Sequence, residues 1–74
     1  EFILVSAGFD AHKADPLGGM NLETRAFSQL TQLILKEANL YAKGRLISFL
    51  EGGYHFEALA DSVTTHVETL SDFL

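Results

Sequence analysis

The chain has 74 residues, of which 47% are hydrophobic, and it carries 10 acidic residues against 5 basic ones, so its formal net charge is −5. The apolar fraction is too high for a chain that is disordered by composition, and the absence of cysteine excludes disulfides and thiolate metal ligands. Surfaces that contact nucleic-acid phosphates are basic, so we expect no direct nucleic-acid partner. The longest apolar run, Leu33-Ile34-Leu35, is too short to span a bilayer, so we expect no membrane partner either.

The first residues predict a buried strand. Phe2-Ile3-Leu4-Val5 is a continuous apolar run, which is typical of a strand that is covered on both faces of a parallel sheet. Gly8 ends the run. The strand begins at once, without a start methionine or a signal-peptide pattern, and 74 residues are few for an independent domain. We therefore expect the chain to be a piece of a longer protein.

A long loop and a helix are predicted next. Residues 10–21 show no period and hold the only proline, which indicates a functional loop. A helix is predicted over about 23–42, because apolar residues recur on one helical face. These residues are Phe27, Leu30, Ile34, Ala38 and Tyr41. Asn21 or Thr24 is expected to cap its start, and Lys43-Gly44 to give it a basic last turn and a glycine stop.

The second half of the chain repeats the same order. Residues 45–50 predict another buried strand, which ends at Glu51-Gly52-Gly53-Tyr54. A last helix is predicted over about 56–72 from a second apolar face. That face comprises Phe56, Leu59, Ala60, Val63, Val67 and Leu70. The order is therefore β-α-β-α, and a helical crossover of this length makes the two strands parallel, with a right-handed connection.

In open parallel α/β sheets, ligands bind beyond the carboxyl ends of the strands. Asp10 and Tyr54 follow those ends here, so we expect both side chains to face one site. Asp10 is either a loop aspartate that caps a turn or a helix, or a carboxylate ligand to a cation such as zinc. One carboxylate is a weak signal, because a catalytic zinc needs about three protein ligands. Asp15, directly before Pro16, is expected to bond nearby backbone N–H groups in a turn.

The other polar residues near the strand ends also allow more than one interpretation. Tyr54 is either an aromatic lid on the core or a phenol that donates a hydrogen bond to a developing oxyanion. His12 is a candidate second ligand, although an exposed loop histidine is the favoured interpretation, and His66 is expected to be structural. Gly52-Gly53 before a helix is a weak phosphate signal, because it lacks the spacing of the known phosphate-binding loops.

Two motifs, taken together, carry the analysis further. The first is Ser6-Ala7-Gly8-Phe9-Asp10-Ala11-His12 with Asp15-Pro16-Leu17-Gly18-Gly19, and the second is Leu50-Glu51-Gly52-Gly53-Tyr54. In order and spacing they closely resemble the zinc-dependent histone deacetylase family, in its class II and bacterial deacetylase-like branch. The resemblance implies an α/β fold, a β-α-β-α fragment of the parallel-sheet, three-layer arginase/deacetylase fold. Residues 1–74 would then be the incomplete C-terminal part of a single deacetylase domain.

The resemblance also implies roles for individual residues. Asp10 matches a zinc ligand, and Tyr54 matches the catalytic tyrosine that polarises the acetyl carbonyl and stabilises the tetrahedral oxyanion. Leu17 matches an apolar residue that lines the acyl-lysine tunnel, and Gly52 and Gly53 match the glycines beside it, so these three are expected to bind substrate. The implied cofactor is Zn²⁺, and the implied substrate is acetyl-lysine or a small acetylated amine.

Much of the family's catalytic site is expected to lie upstream of residue 1. The other zinc ligands and the catalytic histidine pair have no match here, since His12, His55 and His66 do not correspond to them. The remainder of its own domain is therefore an expected partner, and the chain alone is expected to be inactive. We expect the whole protein to be a cytoplasmic deacetylase. The alternatives are an inactive deacetylase-like binding domain and an unrelated nucleotide-binding α/β piece.

Two positions depart from the family pattern. His55 stands where the family often has asparagine, at a position that we expect to cap the last helix, and histidine is a weaker cap. Glu23 stands where a threonine cap is common, which is expected to loosen the first helical turn, although its charge suits a helix N-terminus.

Overall fold

The computed structural model describes residues 1–72 and has the predicted element order. It consists of strand β1 (Ile3–Ala7), helix α1 (Thr24–Tyr41), strand β2 (Leu46–Leu50) and helix α2 (Phe56–Asp72). Each element lies within three residues of its expected position. In the described part of the chain, neither helix combines the length and the apolar character needed to cross a membrane.

The two strands form a parallel sheet, as predicted. Their register runs from Ile3 opposite Leu46 to Ala7 opposite Leu50. Since both strands run in the same direction, their carboxyl ends meet at one edge of the sheet. We call this edge the rim, and it comprises residues 8–10 after β1 and residues 51–54 after β2.

Both helices cover the same face of the sheet. Val5 of β1 packs against the cluster that contains Phe27 of α1 and Val63 of α2, and His66 of α2 contacts Ser48 of β2. On the opposite face, Leu4 of β1 is 67% exposed and Phe49 of β2 is 54% exposed. The prediction of strands covered on both faces is therefore wrong within residues 1–72, because both available helices lie on one side.

The helices pack through a seam of small and polar residues. The buried positions are Phe27, Thr31, Leu35 and Ala38 on α1, and Ala58, Ser62, His66 and Thr69 on α2. Leu30 and Tyr41, which the predicted α1 face included, are exposed, and so are Phe56 and Val67 of α2. Apolar residues occupy more of the surface of each helix than the contact between the two helices covers. The small side chains in the seam allow the two helix backbones to approach each other.

The ends of α1 differ in part from the prediction. Neither Asn21 nor Thr24 caps its start, because Glu23 occupies the cap position without a side-chain hydrogen bond. The glycine stop is confirmed, since Gly44 has φ 75° and donates its N–H to Ala38 O at 2.9 Å. Lys43 lies beyond the helix, so the last turn is not basic.

The start of α2 has the expected cap. The Nδ1 atom of His55 accepts a hydrogen bond from the Ala58 N–H at 3.1 Å. The histidine therefore does what asparagine would do at this position, and it satisfies one of the helix's first N–H groups.

The core extends directly beneath the rim. The ring of Phe9 is only 4% exposed and meets the ring of Phe27 edge-on, with 5.1 Å between the centroids. It also contacts the ring of His66 at 5.7 Å. Since Asp10 is the next residue, the burial of Phe9 holds the backbone from which the Asp10 carboxylate projects.

Candidate functional site

Hydrogen bonds continue from the sheet into the rim. The Glu51 N–H donates to Ala7 O at 3.0 Å, and the Phe9 N–H donates to Gly52 O at 2.7 Å. These bonds keep the two strand ends in register for two residues beyond the sheet. As a result, Asp10 and Tyr54 lie at the same edge of the sheet, as the parallel order predicts.

The carboxylate of Asp10 lies directly against the backbone of the neighbouring loop. A Cβ atom added to Gly52 would stand 3.0 Å from both Cγ and Oδ2 of Asp10, and one added to Gly18 would overlap the Asp10 carbonyl group. The loop that begins at Asp10 thus closes back on it at Gly18. Glycine at these two positions leaves the space that the aspartate occupies.

Asp15 forms the predicted turn, and it also reaches the second loop. Its Oδ1 atom accepts hydrogen bonds from the N–H groups of Leu17 at 2.8 Å and Gly18 at 3.0 Å. Its Oδ2 atom accepts one from the Tyr54 N–H at 2.7 Å, across 39 residues of sequence. Burial acts to raise the pKa of Asp15, but the N–H groups of Tyr54, Leu17, Gly18 and His55 outweigh it and hold that pKa below its ordinary value. The carboxylate is therefore ionised at neutral pH.

Tyr54 at the rim and Leu17 in the loop that follows Asp10 are both exposed to solvent. Tyr54 is 57% exposed and Leu17 is 72% exposed, so within residues 1–72 Tyr54 is not a lid on the core. The preceding Gly53 has φ 144°, a backbone conformation that favours glycine. A Cβ atom there would also stand 2.6 Å from Leu59 Cδ1, which leaves no room for a larger residue. Both exposed side chains belong to residues whose backbone N–H groups bond Asp15.

His12 is not the exposed loop histidine that the sequence favoured. It is 7% exposed, and its ring stacks on Phe27 at a centroid distance of 6.4 Å. Its Nδ1 atom accepts the Ala14 N–H at 3.0 Å, and its Nε2 atom lies 2.9 Å from Thr24 Oγ1. The loop folds this ring inwards because it completes the Phe27 cluster and satisfies both nitrogens. Neither nitrogen is left to bind a metal.

His66 is structural, as predicted, and it links three elements. Its Nδ1 atom lies 2.8 Å from Thr31 Oγ1 of α1, and its Nε2 atom lies 2.9 Å from Ser48 Oγ of β2. The Thr31 hydroxyl donates to Phe27 O at 2.6 Å, so Nδ1 carries the ring hydrogen and Nε2 accepts from Ser48. Burial lowers the pKa of His66, which favours this neutral form.

The rim residues do not form a complete metal site on their own. Within residues 1–72, no group of three or more histidine, aspartate or glutamate side chains is placed to hold a metal ion. Asp10 supplies one oxygen ligand of the kind zinc accepts, where a catalytic zinc takes about three protein ligands. The described residues therefore supply one of the ligands that a catalytic zinc site needs, and not the full set.

A separate groove of about 420 Å³ lies between β2 and α2. Leu46, Val63, Val67 and Leu70 are among the apolar residues that line it, and neither Asp10 nor Tyr54 does. Among the described residues that line this groove, His66 is the one ionisable group, and its two ring nitrogens are already bonded. The chemistry-bearing residues are at the rim, which is the candidate site.

Sequence reasoning did not find the link from Asp15 to Tyr54. The Asp-Pro turn signal indicated only bonds to the aspartate's own loop, and those bonds use one carboxylate oxygen. The second oxygen needed a hydrogen-bond donor as well. No local sequence pattern predicts a donor that lies 39 residues away.

The chain is similar in sequence to known deacetylases. The profile of the histone deacetylase domain matches residues 1–70. The human polyamine deacetylase HDAC10 is 49% identical over 70 residues, which cover 95% of this chain and 10% of that protein. The type-2 histone deacetylase 1 of Dictyostelium discoideum is 40% identical over 72 residues, which cover 97% of this chain and 5% of that protein.

Solved structures show the same architecture. The HD domain of HDA15 superimposes with a TM-score of 0.77 at 35% identity, covering 93% of this chain and 18% of that chain. The acetylpolyamine aminohydrolase of Burkholderia pseudomallei superimposes with a TM-score of 0.75 at 27% identity, covering 93% of this chain and 19% of that chain. The β-α-β-α unit is thus a fragment of the deacetylase fold and spans under a fifth of these structures. With the profile matched over residues 1–70, the chain belongs to the histone deacetylase domain family.

Proposed function

We propose that this chain is the C-terminal part of a single zinc-dependent deacetylase domain, and that the whole protein hydrolyses the amide of an acetylated amine. The observation that carries the proposal is the parallel pairing of β1 with β2, which brings Asp10 and Tyr54 to one rim. The carboxylate there suits a metal ligand, and the phenol suits a hydrogen-bond donor to the reacting carbonyl.

Each rim residue has a distinct task in this proposal. Asp10 contributes one oxygen ligand to the metal. A bound zinc ion would supply Lewis-acid polarisation of the acetyl carbonyl and lower the pKa of a water molecule. Tyr54 donates its phenolic hydrogen to the carbonyl oxygen as negative charge develops there. Leu17, together with Gly52 and Gly53, forms a wall for the aliphatic stem of the substrate, where glycines leave room for a close approach.

The remaining metal ligands and the general base are proposed to come from the rest of the domain. The described residues contain no group of three metal-binding side chains, so the chain alone is expected to be inactive. The uncovered face of the sheet, with Leu4 and Phe49 exposed, supports a partner of this kind. A sheet face with such apolar residues is normally buried against another layer.

The names of the relatives support a substrate class. The human relative is a polyamine deacetylase, the Dictyostelium relative is a histone deacetylase, and a structural neighbour is an acetylpolyamine aminohydrolase. Acetyl-lysine and an acetylated polyamine both present an N-acetyl group at the end of a flexible aliphatic chain. We propose this N-acetyl-aminoalkyl group as the unit that the rim recognises.

Two other functions are less well supported. An inactive binding domain would not need both Asp10 and Tyr54, and loss of one oxyanion donor costs roughly 3–4 kcal/mol of transition-state stabilisation. A nucleotide site at Gly52-Gly53 would need backbone N–H groups for phosphate. The Tyr54 N–H is already bonded to the Asp15 carboxylate, whose charge would repel phosphate.

The proposal is tested on the full-length protein loaded with zinc. We expect hydrolysis of an acetyl-lysine peptide or of an acetylated polyamine, and loss of that activity when a chelator removes the metal. Tyr54→Phe should lower kcat by about 10²- to 10³-fold and leave the zinc content unchanged, whereas Asp10→Asn should lower the zinc content. A zinc-loaded wild type that hydrolyses neither substrate would contradict the proposal. The cytoplasmic location stays a prediction, which microscopy of a tagged full-length protein would check.

A further inference from the structure

The two oxygens of the Asp15 carboxylate have different partners. Oδ1 bonds only its own loop, through the N–H groups of Leu17 and Gly18. Oδ2 bonds the other loop, through the Tyr54 N–H at 2.7 Å. Asp15 is 9% exposed and its three bonds are partly buried, so competing water has limited access to the carboxylate. One buried carboxylate therefore joins the loop that carries Asp10 to the loop that carries Tyr54.

The loop before Tyr54 needs an external support of this kind. Gly52 and Gly53 precede the tyrosine, and Gly53 has a positive φ of 144°. Glycine adopts positive and negative φ values about equally readily. The backbone could thus take several directions before α2 begins at Phe56. An acceptor at the Tyr54 N–H selects one direction, and that direction determines where the Cα–Cβ bond of Tyr54 points.

We propose that Asp15 is a positioning residue for Tyr54, which it holds through the backbone N–H at the distance from Asp10 that the reaction requires. The inference rests on the proposed deacetylase function, because it concerns the placement of the phenol relative to the metal ligand. Asp15 does not contact the reacting atoms in this scheme. It acts by fixing Tyr54 itself, which lies two residues beyond Gly52, the last residue that a backbone hydrogen bond joins to the other strand end.

Asp15→Asn is the most selective variant. An asparagine placed with its oxygen toward Leu17 and Gly18 keeps both bonds of its own loop. Its amide nitrogen then faces the Tyr54 N–H, so a donor meets a donor and only the bond between the loops is lost. Asp61→Asn is the matched control, since Asp61 is an exposed acid within α2 and belongs to neither loop.

The test measures kcat and KM of the full-length, zinc-loaded protein in a double-mutant cycle. Misplacement of a catalytic group by about 1 Å can cost roughly 10²-fold, so Asp15→Asn should lower kcat by about that factor while KM changes by less than about twofold. On a Tyr54→Phe background the same substitution should change kcat by less than about threefold, because the group it positions is already gone. Asp61→Asn should leave both constants at the wild-type values.

A merely structural role would give a different result. If Asp15→Asn lowers kcat equally on the wild-type and Tyr54→Phe backgrounds, the inference is wrong. Should Asp15→Asn fail to fold, Asp15→Glu replaces it, since it keeps the charge but displaces the acceptor by one methylene. Its kcat loss should likewise vanish on the Tyr54→Phe background.

Amide hydrogen exchange separates this inference from the proposed function. In the folded Asp15→Asn protein, exchange at the Tyr54 amide should accelerate at least about tenfold, whereas peptides from β1 and β2 should exchange at the wild-type rate. If the wild type shows no deacetylase activity, the proposed function is wrong. A role of Asp15 in positioning a catalytic group is then wrong as well, even if the exchange data show the bond between the Tyr54 N–H and Asp15. If the wild type is active but Tyr54 exchange is unchanged in Asp15→Asn, this inference alone fails.

Discussion

Thr31 Oγ1 of α1 lies 2.8 Å from His66 Nδ1 of α2, and this bond is the centre of a buried chain of hydrogen bonds that runs from Phe27 O to Ser48 Oγ. Each hydrogen in the chain has one acceptor, so the network is fully satisfied only with a neutral imidazole. The same histidine ring packs against Phe9, directly beneath the rim. Stability of this seam and placement of the candidate site are therefore connected through one side chain.

Thr31→Val should destabilise the domain. Valine has nearly the same shape, but it leaves the buried His66 Nδ1–H without an acceptor, which costs about 1–3 kcal/mol. Urea unfolding followed by circular dichroism would measure the change in the free energy of unfolding. Thr64→Val, at an exposed position of α2, is the matched control. Equal stability of the two variants would show that the Thr31 hydroxyl contributes nothing specific.

Stability should fall as the pH drops below about 6.5, the ordinary pKa of histidine. Burial lowers the pKa of His66 in the folded state, so the unfolded state takes up a proton first and is favoured as the pH falls. The contribution of the neutral His66 to stability is complete at pH values above the pKa of histidine in the unfolded chain. It is lost as the pH falls towards the lower pKa of His66 in the folded protein. Urea unfolding of the wild type and of His66→Gln at several pH values would measure it. A His66→Gln protein with the same pH slope as the wild type would contradict this assignment.

Gly52→Ala should disturb Asp10 more than it disturbs the fold. The new Cβ atom would stand 3.0 Å from the Asp10 carboxyl carbon, closer than carbon atoms normally approach, so the carboxylate has to move. Zinc content of the purified full-length protein should fall, together with its activity. Gly44→Ala is the control, because Gly44 has φ 75° in the loop between α1 and β2, at the opposite end of β2 from the rim. It should lower stability and leave the zinc content unchanged, and the reverse pattern would argue against contact between Gly52 and Asp10.

Ser62→Ala should stabilise the domain. Ser62 is fully buried in the helix seam, and its hydroxyl has no hydrogen-bond partner among the described residues. Burial of an unpaired hydroxyl costs about 1–3 kcal/mol, so its removal should raise the free energy of unfolding by about 1 kcal/mol. Ser71→Ala, at an exposed position of the same helix, corrects for the higher helix propensity of alanine. A Ser62→Ala protein that is less stable than Ser71→Ala would mean that the hydroxyl has an acceptor after all.

The two histidines of the interior show where sequence reasoning succeeds and where it fails. His66 stands among apolar helix positions, and that local pattern was enough to identify it as structural. His12 stands in a polar loop, where the local pattern favours exposure, yet it is 7% exposed because the loop folds its ring onto Phe27. Its Thr24 contact lies 12 residues away in sequence, and no local pattern specifies a contact of that kind.

The order β-α-β-α, the parallel pairing of β1 with β2 and the placement of Asp10 and Tyr54 at one rim were determined by the sequence alone. They depend on two continuous apolar runs, on a hydrophobic period of 3.6 residues in each helix and on the length of the crossover, all of which are local properties of the chain. Only the tertiary structure decided which side of each helix is buried, that both helices share one face of the sheet, and that Asp15 joins Leu17 to Tyr54. Those features arise from packing and hydrogen bonds between distant segments, where several arrangements satisfy the same local pattern and only the assembled chain selects one.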